Sequence, residues 1–253
     1  MAFTKGNAVG TRRKHVWTRS TRRTRRDVPM SSDVRKRRKR GSLSQEEIVA
    51  AALTILDTEG EPALKFSRLG DELKSSPTAV YRHFASRYDL LIAVADHLDE
   101  LSLDGYEPTD DWRADLEDLA WRAWRTTTAH PAAAAATFSL VTNGPNELRA
   151  VEWVLRAMHM AGLRGRAAVI QYQVFANLVL GSASAEGARL SASDPREKED
   201  GWVQVYAPKH PEKFPYAEQA KAELALMNYE EVFAKQVEMY LDALQALAAK
   251  DRE

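Results

Sequence analysis

From residue 43 onward, apolar residues recur at three- and four-residue spacing, the period of an amphipathic helix. The first such stretch carries Ile48, Ala51, Ala52, Ile55 and Leu56 on one face. Its start is written in Ser44-Gln45-Glu46-Glu47, a capping box in which Ser44 and Glu47 satisfy each other's backbone N–H. Leu43 and Ile48 are spaced as a hydrophobic staple, and Gly60 followed by Pro62 ends the helix. A second helix is expected over about 66–74, with Leu69 and Leu73 facing inward and Gly70 allowing a close approach to its neighbour. After the turn Lys74-Ser75, Ser76 is placed as N-cap and Pro77 as the first helical residue, where a missing N–H costs nothing.

That start sets the faces of a short third helix. Val80 and Phe84 turn inward, while Thr78, Tyr81 and Arg82 point outward and His83 closes the helix. Three short helices with a tight turn between the second and third make a helix-turn-helix. A fourth helix opens at Ser86-Arg87-Tyr88-Asp89, a capping-box-like start, and its apolar side is Leu90, Leu91, Val94, Ala95 and Leu98. It is expected to end near Asp104-Gly105, with residues 106–111 as a linker.

The rest also reads as helices, so the fold class is all-α. Trp112, Leu116, Leu119, Ala120 and Ala123 form one stripe, broken at His130-Pro131. Ala132 to Ala136 begins another helix on propensity, and Asn143-Gly144-Pro145 breaks the chain again. Leu148, Val151, Val154, Leu155 and Met158 follow at helical spacing up to Gly162. A long helix over about 166–190 ends in the small-residue run Gly181 to Ala185, and residues 191–216 read as a loop. The last helix, about 229–249, has an apolar stripe wide enough for a core and a partner together. The organisation expected is residues 1–40, 41–104 and 105–253.

Charge changes this picture at one end. The chain of 253 residues is neutral overall, with 36 basic and 36 acidic residues. Residues 1–40 nevertheless carry 15 lysines and arginines against 2 aspartates, so an arm of about +13 precedes a body of about −13. With few large apolar residues, the arm is expected to be disordered, and its charge points to a polyanion such as nucleic acid. Lys39 and Arg40 stand next to the first helix, within reach of phosphates or a minor groove. Two other readings of residues 1–29 stay open: an upstream start with Met30 as the working one, or an organellar transit peptide.

The absence of cysteine removes thiolate chemistry and suits a reducing cytosol, and no apolar run approaches a membrane span. No Gly-x-Ser-x-Gly elbow, Gly-rich phosphate loop or His-Glu-x-x-His occurs, so an enzyme is not expected.

The segment Pro77-Thr78-Ala79-Val80-Tyr81-Arg82-His83-Phe84, with Asp89-Leu90-Leu91 after it and Glu59-Gly60, Ala63-Leu64, Leu69 and Leu73 before it, resembles the TetR family of bacterial regulators. The motif covers about a fifth of the chain. Asn143 to Leu148 and Ala161-Gly162-Leu163 resemble the tetracycline-repressor-type branch more weakly. In two places the sequence departs from the family pattern. Lys74-Ser75 replaces the usual Gly-Val of the turn, and Lys65 stands where Thr or Ser usually caps the second helix.

The resemblance implies a dimeric, ligand-responsive transcriptional regulator, most simply a repressor on a near-palindromic operator in double-stranded DNA. Tyr81, His83 and Arg87 would touch phosphates, though Tyr81 could instead brace its helix and His83 bond a carbonyl at the helix end. Pro77, Thr78 and Arg82 would lie near base edges, with Lys65, Ser67, Lys74 and Ser76 flanking them. For a small-molecule pocket the expected lining is Trp121, Trp124, Phe138, Trp153, Met158, His159, Tyr172 and Phe175, each of which could equally be ordinary core. Thr137 stands where a second metal-binding histidine would be needed after His130, so no metal or other cofactor is expected. Leu178, Gly181 and Ala185 with Val237, Tyr240 and Leu244 would pair two copies through a four-helix bundle. The competing reading is a nonspecific nucleic-acid binder driven by the arm.

Overall fold

The computed structural model describes residues 43–191 and 208–250, all within the second of two units that divide at Arg40. The expectations for Lys39, Arg40 and the arm lie outside the described residues, as does most of the 191–216 loop.

Among the described residues there are ten α-helices and no strand. In chain order they are α1 (Gln45–Glu59), α2 (Phe66–Glu72), α3 (Pro77–Tyr81), α4 (Arg87–Leu103), α5 (Trp112–Ala129), α6 (Pro131–Thr137), α7 (Pro145–Met160), α8 (Gly165–Ser191), α9 (Pro215–Ala225) and α10 (Tyr229–Lys250).

Local chemistry accounts for most helix ends. The capping box of α1 is complete: Ser44 Oγ accepts from Glu47 N at 3.2 Å, and Glu47 Oε2 accepts from Ser44 N at 2.9 Å. Ser76 Oγ accepts from Ala79 N at 3.3 Å to start α3 behind Pro77. At α4, Ser86 Oγ accepts from Asp89 N at 3.1 Å. The Asp89 carboxylate, one methylene shorter than Glu, bonds the Ser86 hydroxyl at 2.9 Å and not its backbone N–H. Lys74 takes φ +48°, a left-handed turn position that a glycine would occupy without strain.

Two apolar clusters organise the chain. One joins α1 to α4 through Ile48, Ile55, Leu56, Leu69, Val80, Phe84, Leu90 and Val94, with Ala133 of α6 included. The other spans α4 to α10 through Leu103, Leu116, Val154, Met158, Phe175, Val179, Phe233 and Leu241. Gly70 is required by the first: a Cβ there would lie 2.9 Å from the Ser75 carbonyl and 3.2 Å from Pro77 N. The close approach is therefore to the turn and the start of α3.

Helix α4 belongs to both clusters, and α6 packs against α1, α4 and α8. Between α4 and α5 the chain is tied down by the buried Asp115, which accepts from Thr109 N, Thr109 Oγ1 and Arg156 at 2.9, 2.7 and 3.1 Å. The expected loop over 191–216 ends earlier than its polarity suggested. Pro215 opens α9, whose side chains remain outside the core, so it shows no apolar stripe to read.

Candidate functional site

Three places carry the chemistry: an exposed helix, a cavity, and the contacts that join them. On α3 and its flanks, Lys65, Ser67, Lys74, Ser76, Pro77, Thr78, Tyr81 and Arg82 are all exposed, and His83 is half-buried. They share this face because Val80 (0% exposed) and Phe84 anchor the opposite one in the core. Tyr81 does two things at once. Its ring meets Phe66 edge-on at 4.4 Å, yet 58% of its surface stays open. The His83 carbonyl accepts from Gln45 Nε2 at 3.2 Å, tying the end of α3 to α1.

Arg87 departs from its expected role. Its guanidinium, partly exposed, donates to the Leu64 carbonyl at 3.1 Å and to the Glu61 carboxylate at 2.7 Å. The Glu61 carbonyl accepts from Leu64 N at 3.1 Å and from Arg87 Nη2 at 3.2 Å, so Arg87 reinforces the short helical turn Glu61–Ala63. It is a brace between α1, α2 and α4.

The cavity, of about 180 Å³, lies among α4, α5, α6, α7 and α8. Leu98, Leu103, Leu119, Val154, Phe175 and Val179 give it apolar walls. Polar groups enter from five helices, among them Asp99 and Ser102 of α4, Thr126 and Thr127 of α5, Thr137 of α6, and Tyr172 and Ser184 of α8. Glu147 lines it from α7, and among the described residues no lysine, arginine or histidine does. Burial, then the charges of Glu147 and Asp96, push the Asp99 carboxyl up to about 7. Burial first, then Glu147 and Asp99, raise the Tyr172 phenol above its ordinary value.

Of the eight residues expected to line a pocket, Phe138, Tyr172 and Phe175 do. The other five face elsewhere. Trp124 stacks on Phe233 at 4.4 Å and Trp121 meets the same ring edge-on at 5.1 Å, so both serve the α5–α10 contact. Trp153 packs against Tyr106 at 6.2 Å, Met158 is fully buried, and His159 is exposed at the end of α7. Sequence reading followed the large aromatics and missed the acids. A signal was present: Asp99 falls four residues after Ala95 and four before Leu103, a carboxylate on the apolar stripe of α4.

Two contacts connect the parts. Asp96 of α4 sits at the N-terminus of α7, accepting from Asn146 N at 3.1 Å, Glu147 N at 3.0 Å and Asn146 Nδ2 at 2.9 Å. Glu147 reaches back to Thr142 N at 2.8 Å and Asn143 N at 2.6 Å, holding the loop that precedes α7. On the other side, His130 Nδ1 lies 2.7 Å from Asp57 Oδ2, linking the α5–α6 joint to α1. His130 holds the position of a cap before Pro131, but its side chain makes no capping bond to α6.

The expected pairing surface splits in two. On α8, Gly181 and Ala185 are exposed and Leu178 is half-buried. On α10, Val237 (2% exposed), Tyr240 (8%) and Leu244 (1%) face the chain's own core, and Tyr240 OH donates to the Gln171 carbonyl at 2.9 Å. The stripe was wide enough for two surfaces, and these three residues occupy the inner one. The outward apolar residues are Val169, Ile170, Val174 and Leu180 on α8 and Met239 and Leu247 on α10.

Comparison with known proteins agrees with this architecture. The tetracyclin repressor-like C-terminal domain matches residues 105–248. An HTH-type transcriptional regulator of Saccharopolyspora erythraea is 35% identical over 146 residues, 57% of this chain and 61% of that protein. The HTH-type transcriptional repressor DrrR1 of Streptomyces coeruleorubidus is 27% identical over 165 residues, 64% of this chain and again 61% of the relative. The chain thus matches somewhat less than two thirds of the length of either relative. Among solved structures, the TetR family protein ActR of Streptomyces coelicolor in complex with actinorhodin superposes with a TM-score of 0.70 at 25% identity, covering 81% of this chain and 98% of that one. Apo ActR has the same fold, with a TM-score of 0.71 at 24% identity over 83% of this chain and 98% of its own. With more than half its length matched by the domain that defines the tetracycline-repressor type, the chain belongs to the TetR family of transcriptional regulators.

Proposed function

We propose that the chain is a DNA-binding regulator that holds a near-palindromic operator as a homodimer and is released from it by a small molecule, which makes it most simply a repressor. One observation carries this reading. Helix α4 packs its first turns against α1, in the apolar cluster that also buries Val80 of α3, and its last turns line the cavity, so a ligand pressing on Asp99, Ser102 or Leu103 pushes on an element that shares a core with α3.

In this reading Tyr81 and His83 meet backbone phosphates, with Lys65, Ser67, Lys74 and Ser76 beside them. Pro77, Thr78 and Arg82 face base edges. Arg87, committed to Glu61 and Leu64, braces the headpiece and touches no DNA. Lys39 and Arg40 extend the phosphate contacts from the arm. Two copies pair through the outward stripes of α8 and α10, with Ile170, Val174, Gly181 and Ala185 against Met239 and Leu247 of the other copy. Dimerisation then sets the two α3 helices about one turn of DNA apart or somewhat more, which is why the operator is near-palindromic. No helix of the described residues is long and apolar enough to cross a membrane, in keeping with a cytoplasmic protein. We expect no catalysis.

The charge of residues 1–40 favours one other reading, a nonspecific nucleic-acid binder driven by the arm. A selection of genomic fragments bound at about 150 mM salt, where phosphate-only binding fades, separates the two. An enriched palindrome, retained after deletion of residues 1–34, supports the regulator. Salt-sensitive binding with no enriched site, lost on that deletion, supports the arm.

A further inference from the structure

The Asp99 carboxylate has no hydrogen-bond or ion-pair partner among the described residues, although it lines the cavity and is mostly buried. Elsewhere in this chain, buried or half-buried acids are matched: Asp115 by Thr109 and Arg156, Asp96 by the N-terminus of α7, Glu147 by Thr142 and Asn143. An unmatched carboxylate in an apolar cavity costs several kcal/mol of desolvation unless it is protonated or given a counter-ion. Neither is built into the walls. The charged side chains facing it are Glu147 from α7 and, behind it on its own helix, Asp96; the facing groups of α5 and α6 are threonines, and Tyr172 faces it from α8. Among the described residues the only charged side chains that face Asp99 are negative, and a positive charge placed there meets no cation.

We propose that the cavity accepts an amphipathic cation, a protonated amine on an aromatic or aliphatic body, with Asp99 as its counter-ion and the walls formed by Leu119, Val154, Phe175 and Val179 covering the body. This deepens the reading of the cavity as the effector site and rests on it. Glu147 adds a second negative charge nearby while keeping its bonds to the loop before α7, so the cation sits between the end of α4 and the start of α7. The carboxyl, held near neutrality while the cavity is empty, gives up its proton when the cation binds.

The test uses three flat probes of nearly equal shape: 9-aminoacridine, which is cationic at neutral pH, acridine, which is neutral there, and acridine-9-carboxylate, an anion. Each is titrated by fluorescence into the full-length protein and into Asp99→Asn. The cation is expected to bind wild type at least about tenfold more tightly than acridine, and most of that preference is expected to be lost in Asp99→Asn, which keeps only the Glu147 charge. In wild type, the affinity for 9-aminoacridine rises from about pH 6 to about pH 8 as the carboxyl ionises. This series decides the matter if Asp99→Asn fails to fold. Equal or tighter binding of acridine or the carboxylate, a preference undiminished in Asp99→Asn, or a flat pH series overturns the proposal of a cation paired with Asp99 while leaving the cavity as a binding site. Binding of none of the three overturns the class and the effector reading together.

Discussion

Gly144 leaves the space that the Asp96 carboxylate occupies: a Cβ on Gly144 would overlap all three atoms of that carboxylate. The backbone of Gly144 is ordinary, with φ −78°, so the glycine is needed for room and not for conformation. Through this gap α4 reaches the N–H groups of Asn146 and Glu147 and fixes where α7 begins.

Gly144→Ala is therefore expected to destabilise the protein by about 2–3 kcal/mol, lowering the thermal midpoint by roughly 4–12 °C. Asp96→Ala should cost a comparable amount, but the double variant should cost much less than the sum, because the second change removes the clash made by the first. A thermal-unfolding double-mutant cycle measures this, and strict additivity would show that the two residues do not share the contact.

Asp99 gives stability a pH dependence with a definite sign. Its carboxyl is raised from the ordinary 3.8 to about 7, so the folded state holds this proton more tightly than the unfolded state. The stabilisation from that proton is full below about pH 4, is lost as pH rises through about 7, and changes no further above. Asp99→Asn should gain on wild type across that window, by about 2–4 kcal/mol at pH 8. Urea unfolding of both proteins at several pH values checks it; parallel curves refute it.

Lys74 combines a strained backbone with a proposed phosphate contact, and one substitution separates them. Lys74→Gly relieves φ +48° and should add about 0.5–1 kcal/mol of stability. The same change should weaken operator binding and reduce the slope of log affinity against log salt by about 1. Stability without weaker binding would remove Lys74 from the interface.

Arg82 and Arg87 are five residues apart and should behave oppositely. Arg82→Ala is expected to leave the melting temperature within about 1 °C and to weaken operator binding by about 1–3 kcal/mol. Arg87→Ala removes the donor to Leu64 and Glu61 and should cost about 1–3 kcal/mol of stability. Differential scanning fluorimetry beside gel-shift titration reads both; an unchanged melt for Arg87→Ala would contradict its bracing role.

Position decides the outcome of the same substitution on the pairing surface. Val174→Arg, on the exposed stripe of α8, should yield folded monomers that lose operator binding. Val237→Arg places a charge among Phe233, Tyr240 and Leu241 and should unfold the protein. Light scattering and circular dichroism distinguish these; a Val174→Arg protein that stays dimeric would move the interface elsewhere.

Helix starts were readable in the sequence because their causes are local. Ser44 with Glu47, Ser76 with Pro77, and Ser86 with Asp89 each satisfy N–H groups within three or four residues, so the letters carry the geometry. The inward pair Val80 and Phe84 and the outward face of α3 follow from helical spacing alone. Helix α9 was missed for the complementary reason that it buries nothing and so leaves no period to find.

Three matters were decided by tertiary structure. Whether an aromatic lines a cavity or fills a core depends on what the neighbouring helix presents: Phe233 on α10 claims Trp121 and Trp124, while Phe175 meets Tyr240 and still, with Tyr172, borders the cavity. Which half of the wide stripe on α10 turns inward depends on how α8 crosses it, and Val237, Tyr240 and Leu244 went to the core. Arg87 had the composition of a phosphate contact, but the Leu64 carbonyl and the Glu61 carboxylate lay within its reach. By itself the sequence determined every described helix but α9, the caps of α1, α3 and α4 and the presented face of α3, all set by interactions within a few residues. The cavity, its unmatched carboxylate and the packing that ties α4 to α7 exist only because segments some fifty residues apart in the chain meet, and no local spacing records which partner each side chain finds.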